Sequence, residues 1–301
     1  ENADGDKITV YEALNEHDEA KFIASEILKG VDEGRNYNEY AVLYRTNAQS
    51  RIFEDAFMKA NIPYRIIGGL KFYDRKEIKD IMAYLKFINN PLDDISLKRI
   101  INVPKRSIGD STVQKIQNFA SSMEESLYNV ILDVDEVSSL SKRSVNSIKK
   151  FVSIINSFIK SRDKVPVSSL IKEILDITGY LEGLKDSEEA DNVSRVENLK
   201  ELVSAASEFE AVSEDTSLSA FLEKVTLVSD IDNFDEDADS VVLMTVHSAK
   251  GLEFPIVFLT GMDEGIFPHS RSLLDDNQLE EERRLCYVGI TRARKKLYMT
   301  R

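Results

Sequence analysis

Two stretches of this chain carry residue types that could handle a transferring phosphoryl group. In the first, the apolar run Val241-Val242-Leu243-Met244 passes into Thr245-Val246-His247-Ser248-Ala249-Lys250-Gly251-Leu252-Glu253-Phe254, a polar turn bearing His247, Lys250, Gly251 and Glu253. The second, Glu280-Glu281-Glu282-Arg283-Arg284-Leu285-Cys286-Tyr287-Val288-Gly289-Ile290-Thr291-Arg292, reads as a charged helix ending in a Thr-Arg pair. A γ-phosphoryl in transfer spreads negative charge over its equatorial oxygens. A guanidinium brought up from a rigid helix end stabilises that charge and contributes roughly 10³–10⁵ in rate. Arg292 has the position for this task, although an arginine at a helix end also serves as a surface cation against the helix dipole. The chain has no Gly-Lys dipeptide and therefore no G-x-x-x-x-G-K-[ST] phosphate loop. Pro255–Thr260 followed by Gly261-Met262-Asp263-Glu264 has the outline of a strand ending in magnesium-binding acids. Thr260-Gly261-Met262 separates the run from the acids, so the segment reads as core plus exit loop, and no metal site is expected on this chain.

The elements that must position these residues alternate at both ends of the chain. Strands are predicted at Ile8–Tyr11, Tyr40–Tyr44 and Pro63–Ile67, the second a nearly continuous apolar run of the kind a central parallel strand needs. Asn15 is placed to cap a helix that buries Ala20, Ile23, Ala24, Ile27 and Leu28, and Asn47 to cap one that buries Ile52, Phe53, Ala56 and Phe57. Strands return at 240–246, 255–260 and 296–300, with a helix near 278–290. Between these two parts the period is helical, through Ile78, Ile81, Met82, Leu85 and Ile88 and then near 112–120, 142–160, 167–180, 193–211 and 217–228. The acidic stretch 230–239 reads as a solvated linker. The expected fold is α/β: a parallel-sheet domain built from 1–72 and 240–301, interrupted by an all-α domain at 73–239.

Four blocks in this order carry a resemblance. Thr245–Phe254 is similar to motif V, and Glu281–Ala293 to motif VI, of the UvrD/PcrA-type superfamily 1 DNA helicases. Tyr44-Arg45-Thr46-Asn47-Ala48-Gln49-Ser50-Arg51 and Gly68-Gly69-Leu70-Lys71-Phe72-Tyr73-Asp74-Arg75-Lys76-Glu77-Ile78-Lys79-Asp80 match further segments of the family. The likeness covers essentially the whole chain and is closest to the PcrA type. It implies a RecA-like domain 2A interrupted by a helical domain 2B, the C-terminal half of an ATP-dependent 3′-to-5′ DNA helicase. On that likeness N-terminal 1A and 1B domains are partners in cis, and ATP and Mg²⁺ are held mainly by the 1A domain. Arg292 becomes the arginine finger, Glu253 accepts a ribose hydroxyl, and Gly251 lets the backbone approach the nucleotide. Thr245, His247, Arg45 and Asn47 lie along single-stranded DNA, with a plain helix-cap role competing for Asn47. For Arg294, Lys295 and Lys296 a surface role is expected.

Ile100–Asp110 resembles the Gly-Ile-Gly hairpin with which domain 2B grips duplex DNA, through a tight turn beside Lys105 and Arg106 that exposes backbone N–H groups. Ser107 stands where the first Gly of that pattern belongs and Gly109 where the second does. If the first position requires positive φ, serine costs about 1 kcal/mol there, though its hydroxyl can bond phosphate.

The net charge of −14 argues at first against a nucleic-acid partner. The distribution changes the argument: residues 73–239 hold 21 basic and 32 acidic side chains, so most of the excess lies in the middle, where Lys98, Arg99, Lys105 and Arg106 still form a local basic cluster. With one cysteine, Cys286, expected as a buried thiol, and no long apolar stretch or leader pattern, the reading is a cytoplasmic protein with no membrane partner. Repair or replication proteins are possible partners. The alternative function is a stand-alone interaction or regulatory module that keeps a motor fold without catalysis.

Overall fold

A computed structural model of the chain describes residues 5–185, 190–230 and 239–301. It divides into two compact units, one from 1–72 with 228–301 and the other from 73–227. Most of the acidic 230–239 stretch lies outside the described residues.

The first unit is built on a six-stranded sheet, all of whose pairings are parallel. Its strands are β1 (Thr9–Tyr11), β2 (Tyr40–Tyr44), β3 (Tyr64–Ile67), β4 (Val241–Thr245), β5 (Phe254–Leu259) and β6 (Ala293–Thr300), in the order β1-β6-β5-β2-β4-β3. Strands from the beginning and the end of the chain therefore interleave. Because side chains alternate across a strand, one apolar run supplies two cores. Tyr40, Val42, Tyr44, Val241, Leu243 and Phe258 face α1 (Glu16–Asp32) and α2 (Ser50–Lys59). Ala41, Leu43, Val242, Met244, Val257 and Leu259 face the other way, with Leu285, Cys286, Val288 and Ile290 of the last helix, Asp276–Ile290, packed against them. Gly289 lets that helix lie close to the sheet: a Cβ there would sit 2.9 Å from Leu259 Cδ1.

Helix starts follow local chemistry. Asn15 Oδ1 accepts from the Asp18 N–H and caps α1. Asn47 does not cap α2 as expected. It opens a short 3₁₀ turn, Asn47–Gln49, and the side-chain oxygen of Gln49 accepts the N–H groups of both Arg45 and Thr46. Gln49 thus takes the end of β2 in hand and leaves the Asn47 amide beside Gly69.

The second unit is helical among its described residues: α3 (Lys76–Asn89), α4 (Asp94–Ile100), α5 (Asp110–Met123), α6 (Leu127–Leu132), α7 (Lys142–Ser161), α8 (Val167–Ile177), α9 (Tyr180–Lys185), α10 (Ala190–Val212) and α11 (Leu218–Asp230). The short helices α4, α6 and α9 escape a periodicity search because each is two turns or less. Side-chain caps start two of them, Asp93 Oδ1 on Ile95 and Ser96, and Ser126 Oγ on Asn129. Helix α8 stops at Ile177, ahead of Gly179 at φ +71°, so the segment expected to reach 180 is broken there into two helices. Buried polar links tie the bundle together: Asp80 accepts from Arg99 and Tyr180, and Asn198 joins Arg75 to Glu77. No helix among the described residues is long and apolar enough to cross a membrane.

Candidate functional site

Parallel pairing puts every strand's carboxyl end at one rim of the sheet and every amino end at the other. Arg45 and Asn47 follow β2, and Thr245 and His247 close or follow β4, so these four share the carboxyl rim. Glu253 precedes β5 and Arg292 precedes β6, so these two share the amino rim. The polar turn that the sequence presents as one block is split between rims, because 246–253 crosses from the end of β4 to the start of β5. The last helix, α12 (Asp276–Ile290), joins the rims with a length of about 22 Å.

At the amino rim Arg292 lies half-buried. Its Nε donates to Val288 O at 2.9 Å, Nη1 to Leu252 O at 3.0 Å and Nη2 to Thr291 Oγ1 at 2.9 Å. Thr291 Oγ1 in turn donates back to the helix end, within 3.0 Å of Tyr287 O and Val288 O. All Arg292 partners are neutral, so its charge stays unbalanced by them. The Phe254 N–H donates to Arg292 O and fixes the two strand starts side by side. Gly251 has φ +87° with open space where a Cβ would stand, so its glycine answers a backbone requirement. Glu253 accepts from Arg294 Nε at 2.9 Å, both side chains being exposed. Arg294 is an exposed surface cation, as expected, and its ion-pair partner is Glu253.

At the carboxyl rim Arg45 has a partner that the sequence did not single out. Its Nε and Nη2 meet the carboxylate of Glu282 at 2.6–3.0 Å, and Glu282 is 5% exposed. The His269 N–H (3.2 Å) and Ser272 Oγ (3.3 Å) also donate to that carboxylate. Burial pushes the Glu282 carboxyl up, but Arg45 and these donors outweigh it and hold it below the usual carboxylate range. His247 is exposed, yet partial burial and the nearby Arg45 charge push its pKa down against the opposing pull of Glu282 and Glu281. Its imidazole is neutral near pH 7. Thr245 Oγ1 accepts the Ser248 N–H and pairs with Ser248 Oγ at 2.9 Å, so it shapes the turn that carries His247. A cavity of about 450 Å³ lies beside Glu282, lined by Met262, Phe267, Pro268, Leu279 and Cys286 among others. The Cys286 thiol is half-buried rather than buried, and burial pushes its pKa up. Asp263 and Glu264 stand exposed in the exit loop after β5.

In the helical unit, Ser107 has φ +60°, the left-handed conformation a glycine would take without strain. Gly109 has φ −78° and opens α5 as its N-cap. Asn102 Oδ1 accepts the N–H groups of Arg106 and Ile108, so these two backbone donors close the turn instead of facing outward as the sequence suggested. Arg106 also turns inward. Its Nη1 donates to the carbonyls of Ile100, Val103 and Pro104 at 2.9–3.2 Å, its Nη2 donates to Tyr84 Oη at 2.6 Å, and it stacks on Phe151. Burial pushes the Tyr84 phenol up to about 12 against the lowering pull of Arg106, and its O–H donates to Val103 O. Arg106 is thus the pin of the loop rather than an outward phosphate contact. Arg99 is exposed but pairs with Asp80, and Lys98 and Lys105 are exposed as well, so of the four-residue basic cluster Arg106 alone is drawn into the loop. Arg143 at the start of α7 lies 3.4 Å from Ser107 Oγ.

A family model described as UvrD-like helicase C-terminal domain matches residues 1–301. The ATP-dependent DNA helicase PcrA of Staphylococcus epidermidis is 49% identical over 303 residues, covering 99% of this chain and 41% of that protein. The protein of the same name from Staphylococcus aureus strain Mu50 is 47% identical with the same coverage. This chain thus spans about 41% of the length of these curated relatives. With the parallel sheet, the helical second unit and a family match over every residue, the chain belongs to the UvrD-like helicase C-terminal domain family.

Proposed function

We propose that this chain is the C-terminal motor half of an ATP-dependent 3′-to-5′ DNA helicase, a RecA-like domain 2A interrupted by a helical domain 2B. The observation that carries the reading is the separation of two polar sets on one sheet, Arg292 with Glu253 at the amino rim and Arg45 with His247 at the carboxyl rim. ATP with Mg²⁺ would be held mainly by an N-terminal 1A domain, which supplies the phosphate loop. Arg292 would leave the Leu252 carbonyl as the cleft closes and meet the γ-phosphoryl. There its uncompensated charge stabilises the equatorial oxygens in the transition state. Glu253, oriented by Arg294, would accept a ribose hydroxyl, and Gly251 would set the turn that delivers it.

Single-stranded DNA would run along the carboxyl rim, with Arg45 and Asn47 on its backbone and the neutral His247 hydrogen-bonding a phosphate or stacking on a base. Thr245 would hold the His247 turn. In the helical unit the Lys105–Gly109 turn would grip duplex phosphates, with Lys105 and Arg143 as the cations and Ser107 offering its hydroxyl. Repair and replication are the settings in which such a motor acts, in the cytoplasm.

The test is strand separation by the full-length protein on duplexes tailed at either end. Duplexes with a 3′ tail should be unwound in an ATP-dependent manner and those with only a 5′ tail should not. DNA binding without ATP turnover would favour the non-catalytic module instead. The chain by itself should turn over no ATP, since it contains no phosphate loop.

A further inference from the structure

Glu282 is a buried carboxylate for which phosphoryl transfer has no use. It sits on α12 and spends both oxygens on Arg45 at the end of β2, across the packing between helix and sheet. Arg45 keeps one nitrogen, Nη1, with no hydrogen bond among the described residues, and its side chain is 20% exposed. A guanidinium is a rigid plane with five N–H donors. With its Nε–Nη2 edge gripped, the direction of Nη1 is fixed by the sheet and the helix together. His269 and Ser272 hold the carboxylate from the other side, so the clamp itself has little freedom.

We propose that Glu282 is a positioning residue for DNA: by clamping Nε and Nη2 of Arg45, it presents Nη1 to a strand phosphate in one fixed direction. This rests on the reading of Arg45 as a strand contact. The clamp exchanges charge for order. Arg45 loses most of its net attraction for phosphate to Glu282 but has less side-chain freedom to lose on binding. Simple electrostatics makes the opposite forecast for Glu282, because removing an acid from a DNA-facing rim should tighten binding.

The experiment is a double-mutant cycle on the full-length protein, reading affinity for a fluorescent oligo-dT strand. Arg45→Ala should weaken binding by about tenfold. Glu282→Gln removes the charge at nearly constant shape, and it should weaken binding by a comparable factor in spite of the lost negative charge. In the Arg45→Ala background, Glu282→Gln should change affinity by less than about twofold, since coupled pairs are non-additive. Arg45→Lys leaves the carboxylate partnered but has no two-donor edge to be gripped, and it should bind nearly as poorly as Arg45→Ala. That variant also keeps the test open if Glu282→Gln folds badly. Unchanged or tighter binding by Glu282→Gln, with Arg45→Ala still weak, would overturn the clamp and leave Arg45 as a strand contact. An equal loss in both backgrounds would reduce Glu282 to a fold-holding role and overturn it too, as would wild-type binding by Arg45→Lys. Wild-type binding by Arg45→Ala would instead remove the strand reading beneath the proposal.

Discussion

Arg292 and Arg45 stand at opposite rims of one parallel sheet and are held in opposite ways. Arg292 is held by two backbone carbonyls and a hydroxyl, all neutral, and so keeps its charge available. Arg45 is held by a carboxylate and is electrically balanced before any ligand arrives. The difference would suit the two tasks proposed for them. Stabilising a transition state calls for a field that is not already spent. Gripping a strand that must be released in every cycle calls for direction more than strength. Helix α12 carries Glu282 toward one rim and leads into Arg292 at the other, so a single rigid element sets both arginines.

The largest effect should come from the uncompensated arginine. Arg292→Ala in the full-length protein should lower kcat for ATP by about 10³ or more, and Arg292→Lys should recover little of it, because an ammonium lacks the planar fork. A DNA-stimulated ATPase assay reads both. A lysine variant near wild-type rate would mean that any cation suffices at the amino rim.

In the helical unit the same contrast separates Arg106 from Lys105. Arg106→Ala removes one donor from each of three loop carbonyls and from Tyr84 and should cost about 2 kcal/mol of stability, visible as a lowered thermal midpoint. If that variant instead melts like wild type while losing duplex affinity, Arg106 meets phosphate directly. Lys105→Ala should leave the midpoint alone and make the log–log salt slope of junction binding shallower by about 0.9. An unchanged slope would mark Lys105 as a solvated charge.

His247 should give the smallest effect. Its pKa is lowered, so it is neutral near pH 7 and gains a proton only below the ordinary 6.5. Arg45 opposes that proton and Glu281 and Glu282 favour it. Because the protonated ring would add a positive charge beside phosphate, oligo-dT affinity should rise a few-fold as pH is lowered past the ordinary histidine range. The rise should vanish in His247→Gln. The same rise in that variant would assign it to other groups.

How much of this was legible follows from where the physics is local. The central strands β2, β4 and β5 could be read because strands buried on both faces leave continuous apolar runs. Asn15 could be read as a cap because capping is decided within four residues. The positive φ at Ser107 was foreshadowed by a glycine pattern in the resembling family. Glu282 was not legible: Glu280-Glu281-Glu282 reads as a solvated acidic face, and only the rotation of α12 against the sheet turns one of the three inward. The division into two rims was hidden for a related reason. Thr245 and Glu253 are neighbours in sequence, but strand direction places them at opposite ends. Arg106 looked like a phosphate contact because nothing local reveals a guanidinium turned back into its own loop.

The central claim is that ATP chemistry and strand binding are assigned to opposite rims. The most direct test measures ATP turnover at saturating oligo-dT and oligo-dT affinity without nucleotide, on the full-length wild type, Arg292→Ala and Arg45→Ala. Separate rims should give a crossed result: Arg292→Ala loses turnover by about 10³ with affinity within about twofold of wild type, while Arg45→Ala loses affinity by about tenfold and retains most of its turnover. If both variants lose turnover and affinity in the same proportion, the two rims do not have separate tasks and the account is wrong.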